Sequence, residues 1–163
     1  VNAINRNEQT RALLETAMGI HADARLPEYH SNTLSKRTRQ HKTDLTQVTP
    51  TNKTNGKIAI FGTCYGEYNE PHLGEDLITV FEYNNIPTMI VPNTVCCGMP
   101  KLELGDLDSV TELKNHNIDI LAQLVDDGWD IISPVPSCTL QFRQELPCLL
   151  STSDAADALQ SLH

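Results

Sequence analysis

Aromatic side chains are scarce in this chain of 163 residues, which has three Phe, four Tyr and one Trp. Its core must therefore be built largely from aliphatic groups. Long hydrophobic runs are also missing. The longest, IAIF at 58–61, falls far short of the roughly 20 apolar residues that cross a bilayer as a helix, so no transmembrane segment is expected. The first residues, VNAINRNEQTR, have neither the basic start nor the apolar stretch of a secretory signal, and a cytoplasmic location is the expectation. There is no initiator Met, which suggests an excerpt from a longer protein. No GxSxG, P-loop or GxGxxG occurs, so nucleotide hydrolysis and dinucleotide binding have no direct support.

Basic residues become rare past Lys57. Residues 58–163 carry three Lys/Arg against sixteen Asp/Glu, whereas residues 1–57 carry nine against five. A body that acidic repels phosphate backbones and anionic headgroups, which argues against binding nucleic acid or a membrane surface directly. The basic run KRTRQHK (36–42) reads as a solvated linker. The length suits one domain plus an appendage.

Residues 6–19 have helical spacing, with Ala12, Leu13, Thr16 and Ala17 on one side and Gly19 as a stop. Residues 27–56 are polar and read as an extended or mobile connector, and the NKT at 52–54 reads as an incidental glycosylation sequon. From 57 onward the pattern alternates. KIAIFG (57–62), IPTMIVP (86–92) and WDIISPV (129–135) read as strands, the first buried on both faces. Between them, 73–85 and 105–128 read as helices, and 139–147 as a short helix ending before Pro147. The expected core faces are Leu73, Leu77, Val80 and Phe81 on the first helix, and Leu107, Val110, Leu113, Ile118, Leu121 and Val125 on the second. Strands alternating with helices predict an α/β fold with a parallel sheet. An N-terminal helix and linker (1–56) would precede the α/β domain (57–163).

Five cysteines, Cys64, Cys96, Cys97, Cys138 and Cys148, make an odd number in a chain with no export signal. Metal binding or redox chemistry is then a better default than a disulfide framework. The first four fall just past the ends of the three expected strands. In an open parallel sheet those ends share one edge, where ligands bind, so Cys64, Cys96, Cys97 and Cys138 are expected to converge. Four thiolates suit an iron–sulfur cluster or zinc. Gly98 supplies the turn that an adjacent pair needs to bring both sulfurs to one site. A strained, labile disulfide between Cys96 and Cys97 is a third reading.

The stretches FGTCYGEYNEPHLGEDL (61–77), VCCGMP (95–100) and VPSCTLQFRQELP (135–147) resemble the cysteine-rich CCG domain of iron–sulfur oxidoreductases. Within that family the likeness runs to the C subunits of anaerobic glycerol-3-phosphate dehydrogenases. The resemblance implies a cluster, of the 4Fe–4S type, held by Cys64, Cys96, Cys97 and Cys138. It implies an electron-transfer role in anaerobic respiration, with no catalysis on substrate by this chain. The implied partners are a flavin-containing dehydrogenase and a membrane-anchoring or quinone-reactive component, which would hold the chain at the inner face of the membrane. Two departures stand out. Val135 occupies the first cysteine position of the family's CxxC, and the second CCG copy and ferredoxin-type motifs are absent from the sequence. Cys148 lies outside the motif and reads as a packed or surface thiol.

Among the remaining candidates, Tyr65, Tyr68 and Asn69 could donate hydrogen bonds to cluster sulfurs, with His72 nearby. His116 reads as solvated, and His21 and His30 belong to the connector. Glu67, Glu70, Glu75 and Asp76 fall on a loop and a helix start, where acidic groups have a structural role.

Overall fold

The computed structural model describes residues 2–149, with side chains through Pro147. Three short strands, β1 (Ile58–Ile60), β2 (Thr88–Ile90) and β3 (Asp130–Ile132), form one parallel sheet in the order β2-β1-β3. Ile58 faces Thr88 on one side and Asp130 on the other. Side chains alternate along β1. Ile58 and Ile60 pack with Ile78, Leu77 and Phe81, while Ala59 and Phe61 pack with Val110, Ile118, Leu121, Ile131 and Phe142. The strand is therefore buried on both faces, as its unbroken apolar run predicts.

Eleven helical or turn segments surround the sheet within the described residues. Before β1 lie α1 (Asn2–Arg6), α2 (Glu8–Met18) and α3 (Leu34–Arg37); between β1 and β2 lie α4 (Cys64–Tyr68) and α5 (Pro71–Tyr83); between β2 and β3 lie α6 (Met99–Glu103) and α7 (Leu107–Asp126). After β3, α8 (Pro136–Leu140) runs through a π turn at Gln141–Glu145 into α9 (Leu146–Leu149), and a 3₁₀ turn occupies Leu45–Gln47. The chain passes from β1 outward to β2, then returns past β1 to β3. Crossovers of one hand that travel in opposite directions put their helices on opposite faces, and α5 and α7 cover the two faces accordingly.

Several elements differ from expectation in detail. Val80 of α5 is exposed, and the buried positions are Pro71, Gly74 and Ile78. The reason is Leu34: a Cβ on Gly74 would lie 2.5 Å from its Cδ2, so the helix turns its smallest residue toward that side chain. Leu107 is exposed, and Asn117 takes an inner position on α7 beside Val110, Ile118 and Leu121. Pro147 does not end the last helix. The π turn shifts the hydrogen-bond register there, with the Leu146 N–H reaching back to Gln141 O, which accommodates a residue that has no N–H. On α2, capped by Asn7 and by Gly19 at φ 70°, the Ala12, Leu13, Thr16 and Ala17 side is exposed and Arg11 is the buried residue.

The connector is more engaged than its polarity suggests. Leu34 is fully buried, Arg37 pairs with Glu75 at 2.9 Å and His41 with Glu82 at 2.7 Å. Asp130 accepts hydrogen bonds from the Thr54 hydroxyl and, at 2.8 Å, from the Asn55 N–H. The basic run 36–42 thus lies partly against the acidic α5. Thr54 of the NKT sequon serves this contact.

Candidate functional site

All four cysteines of the motif reach one edge of the sheet. Cys64 opens α4, directly after Thr63, whose hydroxyl accepts the Gly66 N–H and whose φ is 57°. A β-branched residue in that region is strained backbone, held here by the cap and by burial. Cys96 and Cys97 lie in the loop after β2, which turns at Gly98 (φ 93°) into α6. Cys138 sits in the first turn of α8, where its N–H donates to Val135 O at 3.0 Å.

Adjacent side chains on an extended chain diverge, and this divergence joins the loops. The Cys96 Sγ lies 3.8 Å from the Cys64 Sγ, while the Cys97 Sγ lies 3.1 Å from the Cys138 Sγ. These separations are well beyond the roughly 2.05 Å of a disulfide bond, and all four are free thiols. Cys64 is exposed and Cys96 half-buried, while Cys97 and Cys138 are 2% and 4% exposed. The array thus has an open end and a closed end.

Within each pair the sulfur–sulfur hydrogen bond shifts the two thiols in opposite directions. Donation to Cys96, burial and the nearby Cys96 charge hold the Cys64 thiol up. Cys96 is pushed down to about 2 by the hydrogen bonds of the Cys64 and Cys97 thiols, aided by the Gly98 N–H. Contact with Cys138, then with Cys96, raises Cys97 far above its ordinary value, although the Met99 N–H opposes this. Cys138 is lowered, chiefly by Cys97 and with help from Ser137. In each pair the accepting sulfur is therefore the more acidic and the donating one the less. A metal ion that displaces the thiol protons would find sulfur donors only.

This donor set fits a thiophilic group such as zinc or an iron–sulfur cluster. The spacing is uneven. Two thiolates about 2.3 Å from one tetrahedral ion stand about 3.8 Å apart, a separation that Cys64 and Cys96 have and Cys97 and Cys138 do not. Accordingly, among the described residues no group of three or more His, Cys, Asp or Glu stands ready to hold a metal ion. To hold one ion between them, Cys97 and Cys138 would have to move apart from their 3.1 Å separation.

The expected donors from the loop after β1 do not use their side chains on the sulfurs. Tyr65 contributes its backbone N–H to Cys64, while its hydroxyl donates to Glu70 at 3.4 Å. The Asn69 amide donates to Glu28 O, Tyr68 is exposed, and His72 pairs with Glu70 at 3.2 Å. His116 is exposed on α7 and lies 2.7 Å from Asn93 O. His21 lies near Glu15 and Asp23, and the His30 N–H donates to Tyr68 O. Glu67 accepts from Ser35, a structural use. Val135 packs against the core and caps α8, so its position carries no ligand. The Cys148 side chain lies outside the described residues.

Two buried polar residues escape a reading of the sequence. Asn117 accepts the Val95 N–H at 3.0 Å and donates to Cys96 O at 3.1 Å, clamping the cysteine loop to α7. Gln141 is fully buried beside the Gly98 turn, with neither amide atom hydrogen-bonded. In Asn117 the signal is positional: it falls seven residues after Val110 and four before Leu121, within the apolar stripe.

Fold and sulfur edge together define a cysteine-rich α/β protein. The chain belongs to the CCG cysteine-rich domain family, which it matches over residues 58–143. It is 26% identical to the C subunit of anaerobic glycerol-3-phosphate dehydrogenase from Escherichia coli (strain K12) over 155 residues, covering 94% of this chain and 38% of that protein. It is 28% identical to the B subunit of fumarate reductase (CoM/CoB) from Methanothermobacter marburgensis over 92 residues, 56% of this chain and 18% of that protein. With lactate utilization protein A of Bacillus cytotoxicus the identity is 27% over 88 residues, 54% of this chain and 35% of that protein. The chain thus spans well under half the length of these curated relatives. No solved structure matches it.

Proposed function

We propose that this chain is an electron-transfer module that holds one iron–sulfur cluster through Cys64, Cys96, Cys97 and Cys138. In this reading it relays electrons from a flavin-dependent dehydrogenase partner toward membrane quinone, in a complex like that of the anaerobic glycerol-3-phosphate dehydrogenases. Substrate oxidation belongs to the partner. The observation that carries the reading is the continuous run of four free thiols along the carboxyl edge of the sheet. Kinship to one component of an oxidoreductase over 94% of the chain supports it. No helix among the described residues is long and apolar enough to cross a membrane.

A bound cluster supplies one-electron transfer and little else. The chain's own groups do the rest. Cys97 and Cys138 anchor the buried end, backbone N–H groups of Tyr65, Gly98 and Met99 donate toward the sulfurs, and exposed Cys64 marks the end nearest a docked partner. Spectra of anaerobically reconstituted variants test the ligand set: Cys138→Ser should lose the cluster absorbance, and Cys148→Ser should keep it. Equal effects would contradict the assignment.

A second reading, a structural zinc site, draws on the 3.8 Å separation of Cys64 and Cys96, which suits one tetrahedral ion.

A further inference from the structure

Gln141 has no exposed surface, and both its Nε2 and Oε1 lack a hydrogen-bond partner. A buried amide without partners is a poor choice for a core position, because an apolar side chain of equal length would fill the same space without the loss of hydration. Its location suggests why the amide is present. It follows Cys138 by three residues in a continuous helical run, which places the two on one side. Its Nε2 stands 3.6 Å from where a Cβ on Gly98 would lie, next to Cys97. The amide therefore sits between the two backbone segments whose thiols form the closed pair. The π turn also begins at Gln141, and such turns recur at functional sites.

A thiol is a weak acceptor, whereas a metal-bound thiolate accepts hydrogen bonds that tune its metal. We propose that Gln141 is a positioning residue for the metal-bound state. Its Nε2–H donates to a sulfur of the Cys97–Cys138 pair once a metal is bound there. The metal-free fold carries the unpaired amide, and ligation satisfies it. This inference rests on the reading that the four cysteines bind a metal group.

The test compares the full 163-residue chain with Gln141→Met, an apolar replacement of similar length, both reduced and free of metal. Melting temperatures are recorded, and Zn²⁺ affinity is measured by competition with a chromophoric chelator. Gln141→Met should melt at or above the unsubstituted chain without metal, yet bind Zn²⁺ about 10- to 100-fold more weakly, the usual loss when a hydrogen bond behind a metal ligand is removed. Reconstituted with iron and sulfide, it should show a lower midpoint potential, because the lost donor favoured the more negative, reduced state. Unchanged Zn²⁺ affinity overturns the inference, as does a metal-free Gln141→Met chain that melts lower, since the amide would then already have a partner. An unsubstituted chain that takes up neither Zn²⁺ nor iron and sulfide overturns the metal reading along with it. Normal loading of both chains with equal affinity overturns the role of Gln141 alone.

Discussion

At Cys96 and Cys97 the chain uses the divergence of neighbouring side chains to bridge two loops, one sulfur reaching Cys64 and the other Cys138. Exposure and acidity along this array should govern reactivity. In reduced, metal-free protein, mass-mapped alkylation should label Cys96 first and Cys64 more slowly, because the thiolate is the reacting form and Cys96 is the more acidic of the two; Cys97 and Cys138 should react only when denaturant opens the fold, because they are 2% and 4% exposed. Asn117 holds the same loop in place. Asn117→Ala would leave the Val95 N–H and the Cys96 carbonyl without their partner, and should lower stability in a urea titration by about 3 kcal/mol, the scale of an unsatisfied buried polar group. The four cysteines were readable in the sequence because each follows a strand signal at the same edge. Asn117 and Gln141 were not, since an amide within a helical pattern ordinarily marks the solvated side, and only its phase against the apolar stripe says otherwise.

At the scale of elements, apolar periodicity located all three strands and the two long helices, and it set Leu77 and Phe81 of α5 against the core, but it wrongly put Val80 with them. Sequence spacing favours Val80 there, whereas docking of the connector places Gly74 against Leu34. Nothing within α5 itself encodes a contact made by a residue forty positions earlier. This pair can be tested as a cycle. Leu34→Ala should cost about 2–5 kcal/mol as a buried large-to-small change. Gly74→Ala alone should destabilise by overpacking, typically about 1–3 kcal/mol, and should cost much less in the Leu34→Ala background. Additive effects in chemical denaturation would show that the two side chains do not compete for one space. Continuation of the last helix past Pro147 has a similar origin: a proline predicts a stop, and a π turn supplies the register in which it fits.

Across the whole molecule, the segment before β1 behaves as a strap. Leu34, the Arg37–Glu75 pair, the His41–Glu82 contact and the hydrogen bonds to Asp130 tie it to α5 and to the edge of β3. We propose that residues from about 30 onward belong to the folding unit, although the change in composition falls at Lys57. A chain beginning at residue 57 should therefore melt well below one beginning at residue 28; equal melting temperatures would restore the boundary that composition suggests. The role of the molecule turns on what the sulfur edge holds. Iron, zinc and acid-labile sulfide should be quantified in the full chain after anaerobic reconstitution. Iron and sulfide should be found together in stoichiometric amounts. One zinc per chain, with neither iron nor sulfide retained, would contradict it.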